Sequence, residues 1–244
     1  MRKANWKGLR SVLLALGVTV LLAGIAPAQK DSAAKKNDIK QAGETSRKAA
    51  EVFNKIMREP DKAIPKELLD KAEAVAIFPG VINAAFIFGG RGGIGIVSRR
   101  TATGWSPPAF FKIGGGSFGP QIGGQKIDYI MLIMNDGGVR GLLEDKFELG
   151  GEVSVAAGPV GRSAGATTNP TIDTGILSYS RTKGLFAGAA LKGAVITPDN
   201  DRNQAVYGRD AAEIIEGNSS EISSPKYVRT VAETLDKHSP GKGN

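Results

Sequence analysis

Glycines at residues 90–95 are spaced as in a dinucleotide-binding loop. Gly90, Gly92 and Gly95 fit the G-x-G-x-x-G pattern and follow a strand-like apolar run. A nucleotide site also needs a helix that begins at the glycines and an acidic residue about 20 positions later. The sequence continues instead as a strand, and no acidic residue lies between Glu73 and Asp128. We therefore predict a structural role for these glycines.

A second glycine cluster resembles the nucleophile elbow of serine hydrolases, because Ser117 lies in the pattern G-x-S-x-G at residues 115–119. That elbow requires a helix directly after the serine, and Pro120 with the glycines that follow excludes one. The only histidine, His238, lies six residues from the C-terminal end. We predict a glycine-rich turn and no enzymatic activity. Hydrolysis through Ser117 is retained as the third hypothesis.

Metal and thiol chemistry are limited by composition. The chain contains no cysteine and one histidine, which excludes disulfides, a thiolate nucleophile and cysteine or multi-histidine metal sites. Residues 198–203 gather oxygen ligands but lack the glycine and the terminal glutamate of an EF-hand loop. We predict a solvated turn there, no metal site and no cofactor.

The distribution of acidic residues is more informative. None of the 54 residues between Glu73 and Asp128 is acidic, and residues 153–198 contain one acid, Asp173. If the strand region folds compactly, its loops form a basic surface beside an apolar one. Such a surface suits anionic lipid headgroups, with aromatic side chains entering the interface. The alternative is a buried sheet that excludes acids while its few basic side chains extend to solvent.

We predict that one loop and its neighbours bind the headgroup. The main group of basic and aromatic residues lies within 14 positions, and Pro107–Pro108 stiffens the loop. Arginine binds phosphate through two parallel hydrogen bonds, and tryptophan is favoured at lipid interfaces. A packed core position for Trp105 is the competing interpretation. The candidate lipid-binding residues are Arg99, Arg100, Trp105, Phe110, Phe111 and Lys112, followed by Arg162, Arg181 and Lys183.

The N-terminal segment has the composition of a secretory signal. Four basic residues precede an apolar run from Val12 to Ile25, which is shorter than the ~20 residues of a transmembrane helix. Ala26-Pro27-Ala28 then fits an A-x-A cleavage site. We predict a signal peptide over 1–28 and an exported protein, periplasmic or secreted, that associates peripherally with a membrane. An uncleaved anchor is the alternative.

The remaining chain is predicted to form a single domain over residues 38–238, between a flexible leader at 29–37 and a loose tail at 239–244. Its net charge is +4 rather than +8, because the signal peptide removes four basic residues. Apolar spacing predicts an amphipathic helix over 39–58, and Pro65 suits the first turn of a second helix. Two C-terminal helices are predicted over 209–216 and 227–237.

The centre of the domain is rich in glycine, with 25 glycines in the 114 residues from Gly80 to Gly193, against a usual frequency of about 7%. Short β-branched or aromatic runs between the glycines predict strands. The predicted fold class is α+β, with a glycine-rich, strongly curved, mainly antiparallel sheet or small barrel flanked by N- and C-terminal helices. The predicted strands are residues 75–78, 81–88, 94–97, 127–134, 153–157, 176–179 and 185–196.

Several sequence blocks between residues 42 and 217 resemble the SYLF family and occur in that family's order. The resemblance covers about four-fifths of the chain after the predicted cleavage site. The matching blocks are residues 74–81, 88–96, 104–110, 114–123, 157–162 and 179–188, together with Tyr207–Gly208.

The resemblance implies a non-catalytic domain that binds acidic phospholipids through basic residues and an N-terminal amphipathic helix. The family is also described as an actin-binding module in fungi. The predicted export leads us to expect an anionic phospholipid or membrane surface as partner, and neither actin nor nucleic acid. The alternative hypothesis is an envelope structural or assembly module that binds another envelope protein through its glycine-rich sheet.

Overall fold

A computed structural model describes residues 26–59, 61–85, 89–117, 123–151, 153–161, 174–189, 191–218 and 221–241. The chain divides into two units, residues 1–37 and 38–244. In the first unit, residues 26–37 are helical, and residues 1–25 of the predicted signal peptide lie outside the described part. Among the described residues, no helix combines the length and the apolar character needed to cross a membrane.

Six helices are formed by the described residues. The first helix begins 13 residues before the predicted start at residue 39, so the residues predicted as a flexible leader are helical. Alanine and lysine make up seven of the 13 residues of this extension, and both are good helix formers. The helices are α1 (Ala26–Met57), α2 (Lys66–Lys71), α3 (Asp136–Leu142), α4 (Asn200–Tyr207), α5 (Ala211–Glu216) and α6 (Lys226–His238).

In the described part of the second unit, ten strands form one sheet in the order β6-β10-β4-β2-β1-β5-β8-β7, with β3 paired to β2 and β9 to β8. The pairs are antiparallel except for β7 with β8, which is parallel. The strands are β1 (Ala74–Ala85), β2 (Gly89–Thr101), β3 (Gly104–Trp105), β4 (Ala109–Ser117), β5 (Gly123–Ile133), β6 (Phe147–Glu148), β7 (Val155–Ala157), β8 (Ile176–Thr182), β9 (Leu185–Gly188) and β10 (Val195–Pro198).

The sheet curls strongly into a half-barrel, with helices from both ends of the domain at its flanks, which confirms the predicted fold class. Strand β4 was not among the predicted strands, because glycines occupy three of its nine positions and dilute the apolar pattern. The predicted strand over 185–196 is two strands, β9 and β10.

Apolar side chains cover both faces of the sheet. Along β1, Ala74, Ala76 and Phe78 join one core, while Val75 and Ile77 join the other. The first core includes residues of α3 and α5, and the second includes residues of α1, α2 and α6. Successive residues of a strand point to opposite faces. Burial on both faces explains why residues 74–78 of β1 form a continuous apolar run.

Strand β1 is interrupted by a bulge at Pro79–Gly80. Its register against β5 shifts between Phe78 and Val81, and Gly80 adopts a positive φ of 63°. The bulge turns the Gly80 amide out of the regular ladder, and this N–H donates to Asp128 Oδ1 at 2.8 Å. Strand β1 is therefore tied to a polar side chain of β5 at this point.

Candidate functional site

The structure does not bring the predicted lipid-binding residues together. Arg99 lies opposite Ala74, at the first residue of β1, whereas Arg181 lies opposite Asp128, beside the Gly80 bulge. Six residues of extended β1 separate these levels, which is roughly 20 Å at 3.3 Å per residue. Arg99 therefore lies at the first residue of β1 and Arg181 near its middle, so these members of the two predicted groups do not meet. Arg162 lies outside the described residues.

The predicted aromatic insertion residues lie in the cores. Phe110 and Phe111 are completely buried, on opposite faces of β4, and Trp105 is 8% exposed. The expectation that these rings are surface groups is wrong, and the competing core interpretation of Trp105 is correct. A β-strand places neighbouring side chains on opposite faces, so consecutive phenylalanines serve two cores here.

Arg100 has a structural position. Its Nη2 donates to Leu69 O at 2.7 Å and its Nε donates to Ala72 O at 2.9 Å. These carbonyls lie at the C-terminal end of α2, where backbone acceptors lack full helical pairing; Leu69 O also accepts from Ala72 N at 3.2 Å. The same Nη2 lies 2.8 Å from Ser239 Oγ, and the guanidinium lies over the Trp105 ring. Arg100 is thus committed to holding the fold rather than to a surface ligand.

Ser239, which the sequence places in a loose tail, is completely buried. Trp105 Nε1 donates to its carbonyl at 2.9 Å, and its hydroxyl donates to Asp70 Oδ1. Burial opposes ionisation of Asp70, but hydrogen bonds from Lys66 and Ser239 outweigh it and lower the pKa of this carboxyl. The first residue after α6 is therefore part of the packed domain.

Three other predicted basic residues, Arg99, Lys112 and Lys183, lie in separate surroundings and share no site. Arg99 Nη2 pairs with Asp136 Oδ1 at 2.9 Å, and Lys112 Nζ pairs with Asp199 Oδ1 at 2.8 Å. Asp199 is 2% exposed and also pairs with Arg202, so the predicted solvated turn at 198–203 is instead a buried polar contact at the start of α4. Lys183 is exposed in the turn between β8 and β9.

Among the predicted residues that the structure describes, Arg181 lines a basic groove. This groove lies between α1 and the sheet and has a volume of about 290 Å³. Four of its lining groups are cationic and two are carboxylates, which gives a net charge of +2. The lining residues are Lys48, Glu51, Val52 and Lys55 of α1, Pro79 and Gly80 of β1, Lys126 and Asp128 of β5, and Arg181 of β8.

Local structure explains how these side chains meet. Lys48, Glu51, Val52 and Lys55 are spaced i, i+3, i+4 and i+7, so they share one side of α1. Val52 is buried against the sheet, which fixes the rotation of the helix. Packing of the apolar face of α1 therefore sets the two lysines over the strands. Lys48, Lys55 and Lys126 were not among the predicted site residues, although the i, i+7 lysine pair is visible in the sequence.

The carboxylates of the groove already have partners. Glu51 forms an ion pair with Arg47, which lies one turn earlier in α1. Asp128 Oδ2 lies 3.4 Å from Arg181 Nη1 and Asp128 Oδ1 accepts from Gly80 N. By contrast, neither Lys55 nor Lys126 forms an ion pair within the described ranges, and both are exposed. The groove thus presents cationic charge that is available to an anion.

A second groove of about 480 Å³ lies between the β2–β3 turn and α6. Its apolar floor includes Trp105, Pro107 and Ala232, and its charged groups are Arg229 and Glu233. These charges cancel, so this groove carries no electrostatic preference for an anion. Hydroxyl-bearing residues complete its rim: Thr101, Thr103, Ser223 and Ser224.

The described residues contain no cluster of three or more acidic or histidine side chains placed to hold a metal ion. His238, the single candidate base for Ser117, packs its ring against Phe53 of α1 with a centroid distance of 5.6 Å. Its Nε2 lies 3.1 Å from Asn54 Oδ1, whereas Ser117 ends β4 opposite Gly89. The structure therefore places His238 in a helix–helix contact.

Comparison with known proteins confirms the resemblance drawn from the sequence. The model of the Ysc84 family, described as "Las17-binding protein actin regulator", matches residues 114–238. The chain is 34% identical over 172 residues to Protein YSC84 of Saccharomyces cerevisiae, covering 67% of this chain and 36% of that protein. It is 32% identical over 198 residues to SH3 domain-containing YSC84-like protein 1 of Xenopus laevis, covering 78% and 59%.

A third relative is LAS seventeen-binding protein 3 of Saccharomyces cerevisiae, 34% identical over 152 residues, with coverage of 61% of this chain and 33% of that protein. The chain thus spans between one third and three fifths of the length of these relatives. Two of the three carry names of a binding or an SH3-containing protein. The family description overturns the expectation that actin is excluded as a partner.

Proposed function

The chain belongs to the Ysc84 family, whose domain is also called SYLF, and on that premise we propose that it is a non-enzymatic domain that binds anionic phospholipid headgroups in the basic groove. The observation that supports this proposal is the convergence of Lys48, Lys55, Lys126 and Arg181 around one concavity. Two of these cations, Lys55 and Lys126, have no carboxylate partner within the described ranges.

The charge of the groove sets the expected strength of binding. Each basic residue near an anionic membrane surface contributes about 1 kcal/mol. Four such residues give about 4 kcal/mol, which corresponds to a dissociation constant of about 1 mM. The groove therefore recognises a headgroup weakly by itself, and binding to a membrane needs several headgroups or additional apolar contact. Binding is expected to weaken as salt screens the charges.

Sedimentation with vesicles tests the proposal. We expect the protein to pellet with phosphatidylcholine vesicles that contain phosphatidylglycerol, and to stay in solution with phosphatidylcholine alone. The double variant Lys55→Glu and Lys126→Glu should lose this binding. Its matched control, Lys146→Glu with Lys226→Glu, changes the net charge equally at exposed sites outside the groove. If both double variants bind equally, the groove is not the site.

We also propose that the protein is exported, as the predicted signal over residues 1–28 suggests. Its cleavage after Ala28 is checked by N-terminal sequencing of the protein recovered from outside the cytoplasm. A mature N-terminus at Gln29 supports export, whereas a full-length cytoplasmic protein contradicts it.

A second candidate function is the binding of actin or of a protein that regulates actin. The description of the matched family and the name of LAS seventeen-binding protein 3 favour it. The groove lined by Trp105, Pro107 and Ala232 offers a surface with balanced charge for a polypeptide. Co-sedimentation with actin filaments tests this function. Ala232→Arg, which fills the groove, should reduce binding, whereas the control Thr230→Arg on the same helix should not.

A further inference from the structure

Two buried polar atoms without a partner belong to residues that lie opposite each other on β1 and β2. Asn83 Oδ1 and Arg91 Nε are both shielded from solvent, and neither has a hydrogen-bond partner in the described part of the chain. Asn83 is paired with Arg91 in the strand ladder, and residues so placed share one face, with their Cβ atoms about 5 Å apart. Unpaired buried donors and acceptors are rare in native proteins and point to a missing water, ion or ligand.

This pair lies on the face of the sheet that is opposite the basic groove. Asn83 follows Val81 by two residues, and Val81 belongs to the first core, so both side chains point the same way. The Lys126 side chain of the groove is next to Ile127, another residue of the first core, and therefore points to the other face. Asn83 and Arg91 thus form a polar position that is separate from the groove.

Arg91 supplies a positive charge to this position. It has no ion pair within the described ranges, and its neighbour on β4, Gly115, has no side chain that could supply one. Strands β1, β2 and β4 contain no acidic residue. The Nε and Nη groups of arginine together bind a phosphate through two parallel hydrogen bonds. An anion is therefore the ligand that fits Arg91.

Asn83 supplies an acceptor beside this charge. Its Nδ2 donates to the hydroxyl of Tyr129 at 3.3 Å, which orients the amide and leaves Oδ1 free. A ligand that satisfies the pair must accept from Arg91 and donate to Asn83. An ammonium donor would be repelled by the guanidinium, so a hydroxyl is the donor that fits. Both residues are only partly buried, and outward rotation of the long Arg91 side chain would open the pair to a ligand.

We infer that Asn83 and Arg91 form a second binding site, for a phosphate ester that carries a free hydroxyl, such as a glycerol phosphate group. The phosphate accepts from Arg91 Nε and Nη, and the hydroxyl donates to Asn83 Oδ1. Such a group occurs in soluble glycerol phosphates and in the headgroup of phosphatidylglycerol. The site goes beyond the proposed function and does not depend on the basic groove.

NMR observes this site directly, because the Nε–H of Arg91 gives its own signal, which is assigned by its absence from Arg91→Lys. Titration with sn-glycerol 3-phosphate should move this signal saturably. Methyl phosphate, which lacks the hydroxyls, should bind roughly fivefold more weakly, the effect of one hydrogen bond, and glycerol should not bind. No saturable shift, or an equal shift of the exposed Arg140 on α3, would overturn the inference and leave water as the partner of the pair.

Variants test the role of each residue. Arg91→Lys keeps the charge but loses the parallel donors, and should weaken glycerol 3-phosphate binding by about tenfold when followed through the Asn83 amide signal. The control Arg140→Lys should bind normally. Asn83→Ala should lose the preference for glycerol 3-phosphate over methyl phosphate. Asn83→Asp should abolish binding, because its carboxylate pairs with Arg91. If Arg91→Lys and Asn83→Ala both bind as the wild type does, the site is wrong.

Vesicle sedimentation distinguishes the two sources of the ligand. Reduced pelleting of Arg91→Lys with phosphatidylglycerol vesicles identifies the lipid headgroup, and unchanged pelleting identifies a soluble phosphate; both results agree with the site seen by NMR. The groove variant Lys55→Glu with Lys126→Glu should still show the Arg91 shift with glycerol 3-phosphate. Loss of that shift would assign the anion to the groove and overturn the second site. A wild type that shows the shift but does not pellet with vesicles would reject only the proposed function.

Discussion

The guanidinium of Arg100 lies over the face of Trp105, with its Cζ 4.2 Å from the ring centroid. Both residues also donate hydrogen bonds to Ser239. Arg100 donates to the Ser239 hydroxyl, and Trp105 donates to the Ser239 carbonyl. A cation over a tryptophan face is stabilising when the pair is shielded from water. Arg100 and Trp105, which were predicted to bind a lipid headgroup, therefore hold the C-terminal end of the domain against α2 and β2.

Adjacent arginines should consequently differ in their effect on stability. We expect Arg100→Ala to lower the free energy of unfolding by about 1.5–3 kcal/mol or more, because several hydrogen bonds to a charged group are lost. Arg99→Ala removes one partly exposed ion pair with Asp136 and should cost about 0–1 kcal/mol. Urea denaturation of both variants measures the difference. Equal losses would show that Arg100 does not hold the tail.

Asp128 limits the affinity of the groove for anions. Asp128→Asn keeps an Oδ1 acceptor for the Gly80 amide but removes one negative charge, which raises the net charge of the groove from +2 to +3. We expect roughly fivefold tighter binding to vesicles containing phosphatidylglycerol, since one charge is worth about 1 kcal/mol. Asp145→Asn, an exposed change outside the groove, is the control. Weaker binding by Asp128→Asn would mean that Arg181 needs this carboxylate for its orientation.

The single histidine should give the protein a pH-dependent stability. Burial, together with the charges of Lys237 and Arg58, lowers the pKa of His238 below its ordinary value of 6.5. The unfolded chain therefore binds a proton first as pH falls. The free energy of unfolding should be insensitive to this group above pH 6.5 and should decrease as pH falls from 6.5 through the lowered pKa.

Denaturation midpoints between about pH 8 and pH 5 measure this effect, in the range where histidine titrates. His238→Gln retains a side-chain amide that can bond to Asn54 but has no titrating ring. This variant should lose the decrease in stability over that range. If the decrease persists in His238→Gln, another group is responsible.

The glycines of the G-x-G-x-x-G pattern should have unequal roles. A Cβ at Gly95 would lie 2.4 Å from Phe78 Cδ1 and 2.5 Å from the carbonyl oxygen of Ile77. We expect Gly95→Ala to destabilise the fold by about 1–3 kcal/mol or more, as overpacking does. Gly90→Ala meets nothing within 4 Å and should remain within about 0.5 kcal/mol of the wild type. Similar melting temperatures for Gly95→Ala and Gly90→Ala would contradict a packing role for Gly95.

Local sequence patterns predicted most of the strands and the helices near both ends of the domain. The apolar spacing of α1 and the capping residues of α5, Asp210 and Glu213, act over a few positions, so they are visible without a structure. The boundary of α1 was less accurate, because helix-forming residues upstream extend it without any apolar signal. The SYLF blocks fixed the family, since several blocks in the same order rarely coincide by chance.

Only the tertiary structure decided which residues form the site. Arg99 and Arg100 are neighbours in the sequence, but they lie on opposite faces of the strand, so Arg99 forms a surface ion pair and Arg100 contacts Ser239 near the C-terminus. The groove collects side chains from α1, β5 and β8, and no local pattern links segments so far apart. Sequence by itself determined which segments are apolar and which are basic. Strand pairing, set by burial on both faces of β1, determined which of the basic residues meet.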